Sequence, residues 1–273
     1  MQTGYNELDK IIEINKGDLI IVAARPAMGK TSFVSNVANY VLNKENETVF
    51  FLGLEELKEK IEKRIIVANE NIEIEKIDSF IQHNDTELKL SKDDVNRIIH
   101  GINYFEDLPI YIYIYQYEEG AHIDTVCSVI KNLNKERNLG LIIIDYFQCI
   151  RCNSKLLPNR EDEITEILRR LKLLAEELDV PIIITSQLPR KIEKRDDKRP
   201  LMEDFTSSPK RINYYVDKVL FIYRDSYYNK NNKSNLTEII VANNKNGKTG
   251  TVELEWIPKY LKFVNTKLNR SWK

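Results

Sequence analysis

The sequence has 273 residues, 42% apolar and 30% charged, a length and balance that suit an α/β protein able to bury a substantial core. Its 41 Lys and Arg against 42 Asp and Glu leave a formal charge of −1, which excludes a generally basic, histone-like binder though not a locally basic channel. No apolar run approaches the roughly 20 residues that span a bilayer, Met1-Gln2-Thr3-Gly4-Tyr5 lacks the pattern of a secretory leader, and three cysteines suit a reducing cytoplasm.

Leu8, Ile11 and Ile12 at near-helical spacing predict a helix over residues 3–14, and Gly17-Asp18 turns the chain into an apolar, β-branched run at 19–23 that reads as a buried strand. The loop Ala24-Arg25-Pro26-Ala27-Met28-Gly29-Lys30-Thr31 follows, then a predicted helix over 30–42. Strand, tight loop and Gly-Lys-Thr at a helix start is the context of a phosphate-binding loop, although Ala24 stands where the generic motif has Gly. Backbone N–H groups of such a loop and the positive end of the helix dipole face an anion. Arg25, Pro26, Ala27, Met28, Gly29, Lys30 and Thr31 are therefore the candidate nucleotide-binding residues, with Lys30 reaching the β- and γ-phosphates and the Thr31 hydroxyl binding Mg²⁺.

A second strand at 49–54 ends at Glu55, and a helix is predicted over 58–68. The pattern over 69–90 is weak and predicts short helical pieces. Ser91 and Asp94 resemble a capping box opening a helix to about residue 105. Further predicted elements are a strand at 110–115, a helix at 123–137, a strand at 141–144 ending at Asp145, a helix at 161–178 and a strand at 182–186 ending at Gln187. Residues 189–209 form a charged loop too long for an idle connection. A strand at 219–223, a polar turn at 229–234, a hairpin of 237–242 with 251–256 and a short strand at 261–264 complete the chain.

Alternating strands and helices with doubly buried strands predict a parallel sheet covered on both faces, whose ligands lie at the carboxyl ends of its strands. The phosphate loop, Glu55, Asp145 and Gln187 all stand at such ends. Asp145 after an aliphatic run suits a Mg²⁺-holding acid, Glu55 a base for the attacking water, and Gln187 a γ-phosphate sensor. Cys149 and Cys152 form a C-x-x-C pair, but a structural zinc site needs four ligands and no second pair exists, so they read as ordinary thiols. His83, His100 and His122 lie far from that pair in sequence and read as surface or satisfied residues.

The chain resembles the RecA-like motor domain of the DnaB family of hexameric replicative helicases. The matching stretches include Thr3-Gly4-Tyr5, the loop from Ala23 to Thr31, Leu54-Glu55, Ile144-Asp145-Tyr146-Phe147-Gln148, Ser186-Gln187-Leu188, Asp197-Lys198-Arg199-Pro200 and Phe221-Ile222-Tyr223-Arg224-Asp225, and they span nearly the whole sequence. The family's loop also begins with Ala. The resemblance implies a RecA-like P-loop NTPase core with a C-terminal β-hairpin, one domain over 1–273, without the family's N-terminal primase-engaging domain. It implies ATP and Mg²⁺ held by Lys30, Thr31 and Asp145, with Glu55 as base and Gln187 as sensor. It further implies single-stranded DNA as a partner, self-association into a ring hexamer, primase or loader proteins as further partners, and no membrane.

Two departures stand out. The family's Lys-x-Arg-x-Gly, whose basic pair reaches a neighbour's ATP, is here Asn243-Asn244-Lys245-Asn246-Gly247, leaving Lys245 at the finger position. The family's Arg-Glu-Ser-Gly loop that grips DNA phosphates is replaced by Thr206-Ser207-Ser208-Pro209-Lys210-Arg211. Arg190, Lys191, Lys210 and Arg211 become the candidate nucleic-acid contacts, their position after Gln187 favouring this over a merely solvated charge run. The alternatives to a translocating motor are an oligomeric nucleotide switch or scaffold, which the missing finger Arg favours, and a recombinase-like ATPase on the same core.

Overall fold

The computed structural model describes residues 1–266 apart from 55, 83–89, 116–120, 153–156, 158, 207–208 and 230. Among them, the elements in chain order are α1 (Asn6–Asp9), β1 (Leu19–Ala24), α2 (Lys30–Tyr40), β2 (Thr48–Gly53), α3 (Lys58–Glu70), α4 (Ile74–Gln82), α5 (Lys92–Glu106), β3 (Ile110–Ile114), β4 (Ala121–His122), α6 (Ile123–Arg137), β5 (Leu139–Asp145), β6 (Ile150–Arg151), α7 (Arg160–Leu178), β7 (Ile182–Gln187), α8 (Met202–Phe205), α9 (Pro209–Ile212), β8 (Lys218–Tyr223), α10 (Asp225–Tyr228), β9 (Leu236–Asn244), β10 (Gly250–Ile257) and β11 (Lys262–Asn265). Nine of the strands form one sheet in the order β11-β10-β9-β8-β1-β7-β5-β2-β3.

Strand β1 lies between β7 and β8, parallel to both, and every one of its residues is buried. Its side chains alternate between two cores, as a pleated strand requires. Ile20, Val22 and Ala24 join Phe33, Val34 and Val37 of α2 and Ile61 and Ile65 of α3 on one face. Leu19, Ile21 and Ala23 join Val126 and Ile130 of α6 and Ile167, Leu168 and Leu171 of α7 on the other. Strands β3, β2, β5, β7, β1 and β8 are parallel, and β9 to β11 turn antiparallel at one margin, giving the expected C-terminal hairpin plus one strand.

Some expectations change. The helix over 3–14 shrinks to α1, because Thr3 donates both its N–H and its hydroxyl to Asp9 Oδ1 at 2.7 Å, a local alternative to helical pairing, and the Met1 amino group reaches back to Ile14 O at 3.0 Å. The helix after the phosphate loop leaves α-geometry at Tyr40 and ends in a π-turn, Val41–Glu45. The weak stretch after residue 69 contains α4, a short helix of the kind expected there. The long loop after β7 is broken by a 3-10 turn, Arg190–Lys194, and by α8. The short pairing of β4 with β6 carried no signal in the sequence. Ser91 and Asp94 do form the capping box, each side chain accepting the other's backbone N–H at 3.1 Å. No helix among the described residues is long and apolar enough to cross a membrane.

The amino end of β1 rests on a polar floor. Lys218 of β8 is 2% exposed and donates to Asp18 Oδ2 at 2.5 Å, with Asp18 7% exposed. Asp217 accepts from Leu19 N and from Lys172 Nζ of α7, both at 2.8 Å. Removing one member of a buried pair leaves the other charge uncompensated. Asp18→Ala is therefore expected to lower unfolding stability by about 3–5 kcal/mol in urea titrations, and adding Lys218→Met to recover most of it. A loss under about 1 kcal/mol would contradict a buried ionic floor.

Candidate active site

The sheet brings the candidate residues to one edge. Ala24, the last residue of β1, is in register with Gln187 of β7, and Asp145 of β5 with Gly53 of β2. Leu54 N donates to Asp145 O at 2.7 Å, which carries the chain toward Glu55; Glu55 itself lies outside the described residues.

Between β1 and α2 the backbone takes left-handed values at Ala27 (φ 61) and Gly29 (φ 96). At Gly29 the requirement for glycine is double, since a Cβ there would sit 2.9 Å from the Phe263 ring. Gly29 is also the N-cap of α2, with no side chain to satisfy the first N–H groups of the helix, the arrangement that receives an anion. Thr31, in the first turn, donates its hydroxyl to Asp145 Oδ2 at 2.6 Å. Thr185 of β7 donates its hydroxyl to the other oxygen, Oδ1. Burial raises the Asp145 carboxyl above the usual carboxylate range, while the two threonine hydrogen bonds and the Lys30 charge oppose that rise.

A hydroxyl and a carboxylate are the hard oxygen donors that Mg²⁺ takes from protein, its remaining positions going to phosphate and water. Among the described residues no group of three or more His, Cys, Asp and Glu is placed to hold a metal by itself. The Thr31 and Asp145 pair therefore fits a cation that arrives with phosphate.

Gln187 is exposed at the end of β7, and its backbone is clamped by Gln148: Gln187 N donates to Gln148 Oε1 at 3.2 Å and Gln148 Nε2 donates to Gln187 O at 2.9 Å. Beside it opens a cleft of ≈ 990 Å³ lined by Arg25, Tyr146, Gln187, Arg190 and Lys198 among others. The side chain of Arg25 does not join the phosphate loop's anion site. It turns away to Glu193 and to Leu188 O, at 2.8–3.0 Å, so only its backbone remains available to phosphate.

Lys245 is far from this edge. It follows β9, whose Asn244 is in register with Lys218, itself opposite Ile20 at the start of β1. About 13 Å of strand separates that level from Ala24. Its side chain is 44% exposed, and its ammonium donates to Tyr214 O at 3.1 Å. Of the four candidate nucleic-acid contacts, all on exposed residues, Arg211 pairs with Asp162 at 2.5 Å and Lys191 donates to Glu203 O at 3.2 Å.

Three supporting groups were not picked out from sequence. Thr185 was legible in principle, as a polar residue inside an Ile run buried on both faces needs a partner. Arg224 donates to Ala27 O at 2.6 Å and lies over the Trp256 ring at 5.5 Å, bracing the loop's crown. Arg64 of α3 joins Glu56 (2.7 and 3.1 Å) to Ser32 Oγ of α2 (3.2 Å). Those two pairings are non-local and left no spacing to read.

Residues 1–265 match the model of the DnaB-like helicase C terminal domain. The chain belongs to the DnaB-like helicase C-terminal domain family. Replicative DNA helicase DnaB of Geobacillus stearothermophilus is 39% identical over 265 residues, covering 96% of this chain and 56% of that protein. Replicative DNA helicase DnaC of Bacillus subtilis is 38% identical over the same shares. The chain thus spans about half the length of the curated relatives it matches. Among solved structures, one described as an ATPase domain superimposes with a TM-score of 0.86 at 31% identity, covering 97% of this chain and 91% of that one. A DnaB-like replicative helicase, described with its interactions with primase, gives the same score and identity and covers 97% of this chain and 62% of that one. The fold is accordingly the RecA-like one that the family shares.

Because burial disfavours the charged form of Asp145, stability falls as pH rises from the ordinary carboxylate range through its raised pKa. Asp145→Asn removes that charge. The variant is expected to melt no lower than the parent near neutral pH without ligand, and to lose the extra Mg²⁺-dependent stabilisation by ATP. A lower melting temperature with full Mg²⁺-ATP stabilisation would contradict the assignment.

Proposed function

We propose that this chain is the ATP-hydrolysing motor unit of a DnaB-type replicative helicase, coupling hydrolysis at subunit interfaces to movement along single-stranded DNA and duplex unwinding. The observation that carries the reading is the 2.6 Å bond from Thr31 to Asp145, which joins the phosphate loop to β5 beside Gln187. In this reading the loop N–H groups and the start of α2 hold the phosphate chain of ATP, and Lys30 faces its β- and γ-phosphates. Thr31 and Asp145 hold Mg²⁺, which when bound neutralises charge on the phosphate oxygens. Glu55 deprotonates the attacking water and Gln187 senses the γ-phosphate.

Lys245 acts on a neighbour's nucleotide. Its place at the amino end of the sheet supports this, since it is remote from the phosphate loop of its own chain. Self-association, with a ring hexamer as the expected form, follows from that requirement. Arg190, Lys191, Lys210 and Arg211 carry the single strand. We read residues 1–273 as one domain acting in the cytoplasm, and primase or a loader as further partners; the cysteines Cys127, Cys149 and Cys152, all free thiols, are in keeping with a reducing compartment. One observation favours the weaker-turnover alternative of an oligomeric switch. Lysine offers a point charge where an arginine fork contributes roughly 10³–10⁵ in rate.

ATPase assays with and without oligothymidylate test the reading. Turnover is expected to rise with the oligonucleotide, and strand binding to weaken steeply with salt as phosphate contacts release counterions. Lys30→Ala is expected to abolish hydrolysis in a protein of unchanged circular dichroism. Full activity in that variant, or ATP binding and assembly with no response to DNA, would rule out the motor.

A further inference from the structure

Arg25 sits inside the phosphate loop, directly after Ala24 and two residues before the strained Ala27. Its Nε and Nη2 donate to Glu193 Oε1 at 3.0 and 2.8 Å, and its Nη1 donates to Leu188 O at 2.8 Å. The two side chains are only 11% and 29% exposed, so solvent screens the pair less than a surface contact. Three bonds from one planar guanidinium fix orientation as well as distance.

On the other side, Glu193 belongs to the 3-10 turn Arg190–Lys194. Ile192 plugs that turn into the core, Leu188 N donates to Ala24 O at 2.9 Å, and Arg190 stands outward at 88% exposure. The downstream stretch is held separately, Arg195 by Asp204 and Arg199 by Glu238. A cation-bearing turn is thereby bolted to the loop expected to close on phosphate.

We propose that Glu193, acting through Arg25, is a positioning residue that couples nucleotide occupancy of the phosphate loop to the placement of the turn 190–194. The inference rests on the motor reading above. When the loop backbone adjusts round phosphate, Arg25 moves with it and carries Glu193. By reciprocity, a strand that displaces Arg190 changes the loop's affinity for nucleotide. Loop and turn are joined by a continuous set of hydrogen bonds at 2.8–3.0 Å, from Arg25 to Glu193 and to Leu188 O.

The test uses the full chain with Glu193→Ala and Glu193→Gln, the latter keeping an acceptor for Arg25 without the charge. Two quantities are read: tryptic cleavage within 190–194 with and without adenylyl imidodiphosphate, and ATP turnover with and without oligothymidylate. In the parent the analogue is expected to change the cleavage rate. In Glu193→Ala that dependence collapses and stimulation by the strand falls by about tenfold, with unstimulated turnover little changed, and Glu193→Gln recovers part of both. The proposal is overturned when the analogue leaves cleavage of the parent unchanged. It is overturned equally when Glu193→Ala keeps the nucleotide dependence, or when stimulated and unstimulated turnover fall together, as a purely structural brace would give. A parent whose turnover ignores the oligonucleotide refutes the motor reading instead, and the cleavage measurement, which needs nucleotide alone, still decides the coupling.

Discussion

Asp145 accepts hydroxyl hydrogen bonds on both of its oxygens, from Thr31 beyond β1 and from Thr185 on β7. One buried carboxylate therefore ties together the phosphate loop and two neighbouring strands. It stands at an edge where the strand ends converge, and its raised pKa records what burial costs it. A group held at such a cost, with donors arranged around it, is suited to a cation that arrives with the substrate. The polar floor at the opposite end of β1 keeps that strand from sliding, and so keeps the loop in register with Gln187.

The sheet separates two kinds of chemistry along its strands. Groups that suit phosphate and Mg²⁺ lie at the carboxyl end, and Lys245 at the amino end. On the proposed reading no single copy holds a complete site, so activity follows assembly. The Arg25 and Glu193 strut then links the nucleotide edge to the cationic turn within each copy. The near-zero net charge fits the proposed division, in which a single strand would meet a local set of cations rather than the whole surface.

The centre of the fold was legible because β1, β5 and β7 are buried on both faces and so read as apolar runs, β7 closing on the buried polar pair Thr185 and Ser186. Asp145 was legible for a related reason, as the first polar residue after such a run, and Gln187 as the residue that closes its strand. Arg25 reads as a nucleotide contact because it sits in the loop, and the structure adds that its side chain is held by Glu193, 168 residues away. No spacing in the chain announces such a pair. The start of the chain shows the opposite failure. Its apolar spacing suited a helix, but the Thr3 to Asp9 hydrogen bonds and the pull of Ile12 and Ile14 into the core held it to one turn.

A complementation assay bears most directly on a site shared between copies. Lys30→Ala chains keep Lys245 but lack the lysine of the phosphate loop, and Lys245→Ala chains have the reverse. Each alone should hydrolyse ATP far more slowly than the parent. Mixed in equal amounts and allowed to reassemble, they should form some interfaces that combine an intact Lys30 with an intact Lys245, and turnover should rise well above the sum of the separate rates. A mixture that gives only that sum, although the two chains are seen to co-assemble, would mean that Lys245 does not serve the neighbouring nucleotide.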